Sequence, residues 1–167
     1  MPIRNIWSLE TGEAVTAEAL LKNVEGCEVY FPVRDVGVDL LAVRGSRHVG
    51  IQVKESRYYA GRKGAAGHSW HQLSAKSLRR ARADFYVFLT YLPRFGERRL
   101  RTFENRFVIV PARELEDLVG GKSAGRKGVY SFYFSFEGEG VADVRDEIAD
   151  YSEYLDRWDL IHEALEE

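Results

Sequence analysis

A single cysteine, Cys27, leaves nothing from which to build an internal disulfide framework, so a secreted, stapled fold is not expected. No run of about 18 apolar residues occurs, which argues against a membrane-spanning helix. The opening MPIRNIWSLETGE has no apolar h-region, so no secretory signal is expected and the expected location is the cytoplasm. Neither an internal repeat nor a convincing linker divides the chain. A P-loop is missing as well. GRKGAAG (61–67) and GGKSAGRKG (120–128) are glycine- and lysine-rich, but neither fits G-x-x-x-x-G-K-[ST], because the second places Glu116 where glycine is required. Both read as flexible basic loops. No Ser-His-acid set can be assigned from spacing, and His68 and His71 have no cysteine or ligand set around them that would suggest zinc. Cys27, at the start of an apolar strand, reads as a core residue.

What remains is ample for one folded domain spanning 1–167. The 167 residues are 45% hydrophobic and 13% aromatic, enough for a sizeable core. The net charge of −2 hides two opposed blocks. From Lys54 to Arg106 there are 13 Lys/Arg against Glu55, Asp84, Glu97 and Glu104, a net of 13 − 4 = +9. Residues 137–167 carry 12 acids against Arg145 and Arg157, a net of 2 − 12 = −10. A basic stretch attracts polyanions through counterion release, so the middle of the chain is a candidate face for phosphate. Mutual neutralisation of the two blocks, or plain solvation, is the alternative.

The pattern of elements reads as mixed α/β. ETGEAVTAEALLKN (10–23) favours helix, with Val15, Ala19, Leu20 and Leu21 suggesting an apolar face, and Asn23 and Gly26 supply its stop. CEVYFPV is rich in β formers, and VDLLAV (38–43) and HVGIQVK (48–54), joined through Gly45 and Ser46, read as a hairpin. A basic glycine-rich loop, RYYAGRKGAAGH (57–68), follows. Ser69 is a suitable N-cap for a helix from about Trp70 to Arg82. DFYVFLTYL (84–92) is apolar almost throughout, as a strand covered on both faces is. RFVIVP (106–111) reads as a strand, ARELEDLV as a short helix, and GVYSFYFSF as a strand alternating Tyr130, Phe132, Phe134 and Phe136 with Ser131, Tyr133 and Ser135. Tyr151, Tyr154, Leu155, Trp158, Ile161 and Leu165 form an apolar stripe on an expected C-terminal helix, packed on the core or used in a homodimer.

Chemistry concentrates between Glu13 and Lys54. Residues two apart on a strand share a face, so Gln52 and Lys54 point one way while Val53 and Glu55 point the other. Asp39 opens the partner strand of the hairpin. A carboxylate, an amide and an ammonium thus meet on a sheet otherwise built of Val, Leu and Ile, where unpaired charge costs several kcal/mol. A structural Asp39–Lys54 ion pair is the plain reading of that arrangement.

Gly37-Val38-Asp39-Leu40-Leu41-Ala42 followed by Ile51-Gln52-Val53-Lys54 resembles the core motif of the PD-(D/E)xK nuclease superfamily, most nearly the restriction-like and homing-endonuclease-like branches with Gln-Val-Lys. Glu13 to Lys22 looks like the first helix of those branches. Trp70 to Leu73 with ADFYVFL looks like the helix and strand they place after the lysine. The resemblance covers residues 13 to 91. It implies a restriction-endonuclease-like αβββαβ core with a central mixed sheet over about 10–92, and extra strands and a C-terminal helix over about 104–167. It also implies a metal-dependent DNA endonuclease, with RNA a further possible substrate. Asp39, the Gln52 side chain, the Val53 carbonyl and Glu13 would hold Mg²⁺ or Mn²⁺, and Lys54 would position or activate the attacking water. Glu10 and Glu18 rival Glu13 as the helix acid. Gln52 departs from the commoner Asp or Glu, and its neutral oxygen is a poorer ligand for a hard cation, so a nuclease-derived binding module that does not cut is the alternative. Arg57, Arg62, Lys63, His68 and His71 are the candidate nucleic-acid contacts.

Overall fold

A computed structural model describes residues 9–34, 37–61, 67–80, 82–95, 101–125 and 127–166. Helix α1 (Thr11–Asn23) opens where the Glu13 carboxylate accepts the Glu10 N–H at 3.4 Å, and at its other end the Asn23 amide donates to the Ala19 carbonyl at 2.8 Å. Its inward stripe is Gly12, Glu13, Thr16, Ala17 and Leu20, whereas Leu21 is exposed. Val15 and Ala19 flank that stripe, packed against the core beside Leu20, so only Leu21 falls off the expected apolar face.

Strands β1 (Glu28–Tyr30), β2 (Leu40–Arg44) and β3 (Arg47–Tyr59) form an antiparallel meander. The β2–β3 turn is the two residues Gly45 and Ser46, and Gly45 at φ 59° supplies the left-handed backbone such a turn needs. Next come β4 (His68–Ser69), β5 (His71–Ser74) and a short α2 (Ala75–Arg80) before β6 (Phe85–Phe95) returns parallel to β3. β7 (Arg101–Pro111) closes the sheet in the order β1-β2-β3-β6-β7, with β4 on the edge of β3. α3 (Ala112–Gly120) follows, then β8 (Val129–Phe132), β9 (Phe134–Glu137), β10 (Gly140–Asp143), β11 (Ala149–Asp150), a 3₁₀ turn (Ser152–Tyr154) and α4 (Trp158–Ala164). Among the described residues no helix is long and apolar enough to cross a membrane.

The helix expected over Trp70–Arg82 is shortened to Ala75–Arg80. Its first residues are taken by a β ladder in which Gln72 pairs Ser131 and Leu73 pairs Tyr130, burying His71 and Leu73. Long-range pairing and burial outweigh a local N-cap signal at Ser69, whose hydroxyl is turned inward and donates to the Phe134 carbonyl at 3.4 Å. The GVYSFYFSF alternation holds at its centre, since Phe132 and Phe134 are both fully buried, but the chain breaks at Tyr133 into two strands of different sheets.

The sheet separates two cores. Leu40, Ile51, Val53, Val87, Leu89 and Ile109 face α1 and α4, while Tyr86, Phe88, Val108 and Val110 face the side built by α2, α3 and β8–β10. The C-terminal stripe is divided between them. Tyr151 and Tyr154 enter the second core, and Trp158, Ile161 and Leu165 the first. The tail crosses from one face to the other at the outer edge of β7, through a Val108–Leu155 bridge, an Asp156 N–H bond to the Phe107 carbonyl at 2.7 Å, and a left-handed Asp156 at φ 53°. One continuous helix cannot do this. The stripe is spent on the chain's own core and on covering a sheet edge, so these side chains are not available to a homodimer.

Gly12 fixes how closely α1 approaches β3. A Cβ there would lie 2.8 Å from the Glu55 Cβ, nearer than real side-chain carbons come. Gly12→Ala gains helix propensity of about 1 kcal/mol. The crowding costs about 1–3 kcal/mol. A net loss is therefore expected, read as a lower urea midpoint at unchanged slope.

Candidate active site

The site lies where two paired strands part. β2 begins at Leu40 opposite Ile51, but β3 continues to Tyr59, and β4 pairs with β3 only at Tyr58 and Tyr59. Asp39 stands at the opening of that gap. Its N–H donates to the Ile51 carbonyl at 2.8 Å, which holds the residue on β3 after the β2 ladder has ended. Its Oδ2 accepts the Val53 N–H at 2.8 Å and an N–H of the Gln52 side chain. The N–H and C=O of one strand residue project to the same edge, so the Val53 carbonyl is directed into the same gap.

The strand period sorts the remaining groups. Ile51 and Val53 are buried in the first core, whereas Gln52 and Lys54 are half-buried on the other face. Parallel register sets Gln52 beside Tyr86 and Lys54 beside Phe88. Asp39, Gln52 and Lys54 therefore share one side of the sheet, bounded by aromatic rings. Burial pushes the Tyr86 phenol up to about 12, and the nearby Glu116 and Asp39 carboxylates add to it. The buried Tyr86 hydroxyl has no hydrogen-bond partner among the described residues.

Of the three helix acids, Glu10 and Glu18 are exposed and Glu18 pairs with Lys22 at 2.6 Å, while Glu13 is 3% exposed on the inward stripe. Glu55 leaves the opposite face from Gln52. Its carboxylate accepts the Tyr91 hydroxyl at 2.7 Å and lies against Gly12, where negative charge suits the amino end of α1. Burial and Glu55 together raise the Tyr91 phenol above its ordinary range.

Among the described residues no three His, Cys, Asp or Glu side chains converge as a ready metal cage. The groups that meet there are the Asp39 carboxylate and the N–H groups of the Gln52 amide and of Val53, whose own oxygens lie on the same amide and main chain, and oxygen ligands suit a hard divalent cation. Rotation about the last Gln52 torsion exchanges its N–H for its oxygen, so the set is chemically compatible with Mg²⁺ or Mn²⁺.

The candidate nucleic-acid contacts are dispersed. Arg57 is exposed near the end of β3, and His68 stacks on Tyr133 with ring centroids 4.6 Å apart. Arg62 and Lys63 lie outside the described residues. His71 is corrected outright. It is 1% exposed, with Nε2 3.1 Å from the Ser69 hydroxyl and 3.2 Å from the Thr90 hydroxyl, and burial pushes its pKa down to about 3. A neutral imidazole in the core contacts no phosphate.

No family model and no curated protein matches the chain. Among solved structures it is similar to a bacterial homing endonuclease, at a TM-score of 0.57 and 16% identity, over 96% of this chain and 94% of that one. The fold is nuclease-like. Coverage extends past the hairpin and the parallel return strand to nearly the whole chain, so the C-terminal strands and helix belong to that likeness too. Sequence reading placed Asp39, Gln52 and Lys54 on one side of the hairpin, as the structure does, because hairpin pairing and strand alternation are local. It did not single out Tyr86 as their neighbour, since the register of a parallel pair is set by distant segments.

Proposed function

We propose that the chain is a metal-dependent endonuclease that hydrolyses DNA phosphodiester bonds at the Asp39–Gln52–Lys54 gap. The observation that carries this reading is the strand divergence itself, where Asp39, Gln52 and the Val53 main chain meet beside Lys54 on a nuclease-like fold. Asp39, the Gln52 amide oxygen and the Val53 carbonyl would hold Mg²⁺ or Mn²⁺; Glu13, carried by the helix on the other side of the sheet, would join them only by reaching through the gap that β2 leaves beside β3. Such an ion, when bound, supplies positive charge to the phosphoryl oxygens and to the leaving oxygen. Lys54 holds the attacking water in line, or takes its proton, and faces the charge that develops on the phosphoryl group as the P–O bond to the leaving oxygen breaks. Arg57 would hold the backbone beside the site.

Cleavage of supercoiled plasmid in Mg²⁺ or Mn²⁺ tests the reading, with wild type and Asp39→Asn purified identically. Nicking or linearisation by wild type, abolished by chelator and lost in Asp39→Asn, is expected. Equal nicking by both proteins would sink it. The Gln52–Asp39 hydrogen bond favours a second reading, a nuclease-derived binding module, because it satisfies the carboxylate without any cation. Salt-dependent DNA binding by both proteins, with cleavage by neither, would select that one.

A further inference from the structure

Tyr86 carries a hydroxyl that the second core does not use. The residue is 1% exposed and packs with Val38, Leu78 and Val110, yet its hydroxyl has no hydrogen-bond partner among the described residues. Burying an unbonded hydroxyl costs stability, and a phenylalanine would fill the same ring volume without that cost. Phe85 and Phe88 on the same strand are buried residues of that type. A buried polar atom without a partner calls for one that arrives in another state of the site.

Gln52 is the neighbour able to change state. Parallel pairing makes Gln52 and Tyr86 direct partners across two strands about 4.8 Å apart, and strand alternation turns both to the same side. Burial and the Glu116 and Asp39 carboxylates together raise the Tyr86 phenol, which puts it within the field of the carboxylate that Gln52 bonds. The Gln52 amide has one oxygen and one NH₂ group, and the NH₂ donates to Asp39 Oδ2. To offer its oxygen to a cation held by Asp39, the amide must turn over. That turn takes the N–H from Asp39 and leaves it half-buried and in need of an acceptor. Of the side chains that register sets around it, Lys54 has only donors and Phe88 has neither donor nor acceptor. The Tyr86 oxygen can accept.

We propose that Tyr86 is a positioning residue for Gln52, its hydroxyl oxygen accepting the amide N–H that leaves Asp39 when the Gln52 oxygen turns to a divalent cation. The inference rests on the nuclease reading above and concerns how its metal site is loaded. A carboxylate at position 52 would need no such acceptor, because both of its oxygens can face a cation. The amide does need one, since its orientation decides whether it offers an oxygen or an N–H.

The test is Mn²⁺ binding to the full chain without DNA, read from the electron paramagnetic resonance signal of the free ion. Wild type, Tyr86→Phe, Gln52→Glu and the double variant are compared. Tyr86→Phe is expected to weaken Mn²⁺ binding about three- to tenfold, the worth of one hydrogen bond between neutral groups. In the Gln52→Glu background the same substitution should change Mn²⁺ affinity by less than about twofold, because no N–H remains to be held. The urea midpoint of Tyr86→Phe in chelator should equal or exceed that of wild type, which separates the effect from damage to the core. A lower midpoint would show the hydroxyl already bonded without metal and overturns the inference. Unchanged binding in Tyr86→Phe overturns it too, as does an equal loss in both backgrounds. If wild type binds no Mn²⁺, the nuclease reading fails together with the inference; if wild type binds Mn²⁺ and cuts plasmid, and Tyr86→Phe does both equally well, only the role of Tyr86 fails.

Discussion

Lys54→Ala is expected to lower plasmid cleavage by about 10²–10⁴-fold while leaving the melting temperature and plasmid binding nearly unchanged. The side chain is half-buried on the side of Tyr86 and Phe88, so its removal leaves no large cavity. It follows Gln52 by one strand repeat and stands beside Phe88, where the apolar surroundings strengthen its field on a phosphoryl group. Lys54→Arg separates two roles. A guanidinium supplies charge but does not give up its proton at neutral pH, so recovery in Lys54→Arg assigns charge stabilisation, and continued loss assigns proton transfer. Full metal-dependent activity in Lys54→Ala would remove Lys54 from the mechanism.

His71 is expected to make the fold acid-sensitive. Its imidazole is enclosed by Phe88, Phe134 and the Ser69 and Thr90 hydroxyls, and burial holds it neutral down to about pH 3, the Lys54 main-chain carbonyl opposing only weakly. In the unfolded chain a histidine takes its proton near pH 6.5. The contribution is thus complete above pH 6.5 and is lost as pH falls toward 3, because only the unfolded state binds the proton across that window. Each pH unit costs about 1.4 kcal/mol, so roughly 2–3 kcal/mol disappears between pH 6.5 and 4.5. Urea unfolding of wild type and His71→Gln at both pH values reads this directly. The variant is less stable at neutral pH but should have the shallower pH dependence. Equal slopes in the two proteins would show that His71 takes up its proton without unfolding.

The same two residues mark how far the chain could be read without its fold. The sequence alone determined the Gly45–Ser46 hairpin, the shared face of Gln52 and Lys54, the position of Asp39 at the mouth of that hairpin and the doubly covered strand at 85–89. Each follows from turn chemistry or from a two-residue period, and both act between neighbours in sequence. The sequence favoured Glu13 as the helix acid with Glu10 and Glu18 as rivals, but which of the three is buried depended on the surface against which α1 docks. Residues 71–74 carried a helix signal and became strand, because Val129–Phe132, more than fifty residues away, provided a ladder and a core for them. The apolar stripe of the tail was legible, but its division between two cores was not, since that depends on an open edge of β7 for it to cross. Tertiary structure alone placed Tyr86 beside Gln52 and sent His71 inward. The reason is common to both. Parallel register and burial are decided by which distant segments compete for the same surface, and no local pattern carries that information.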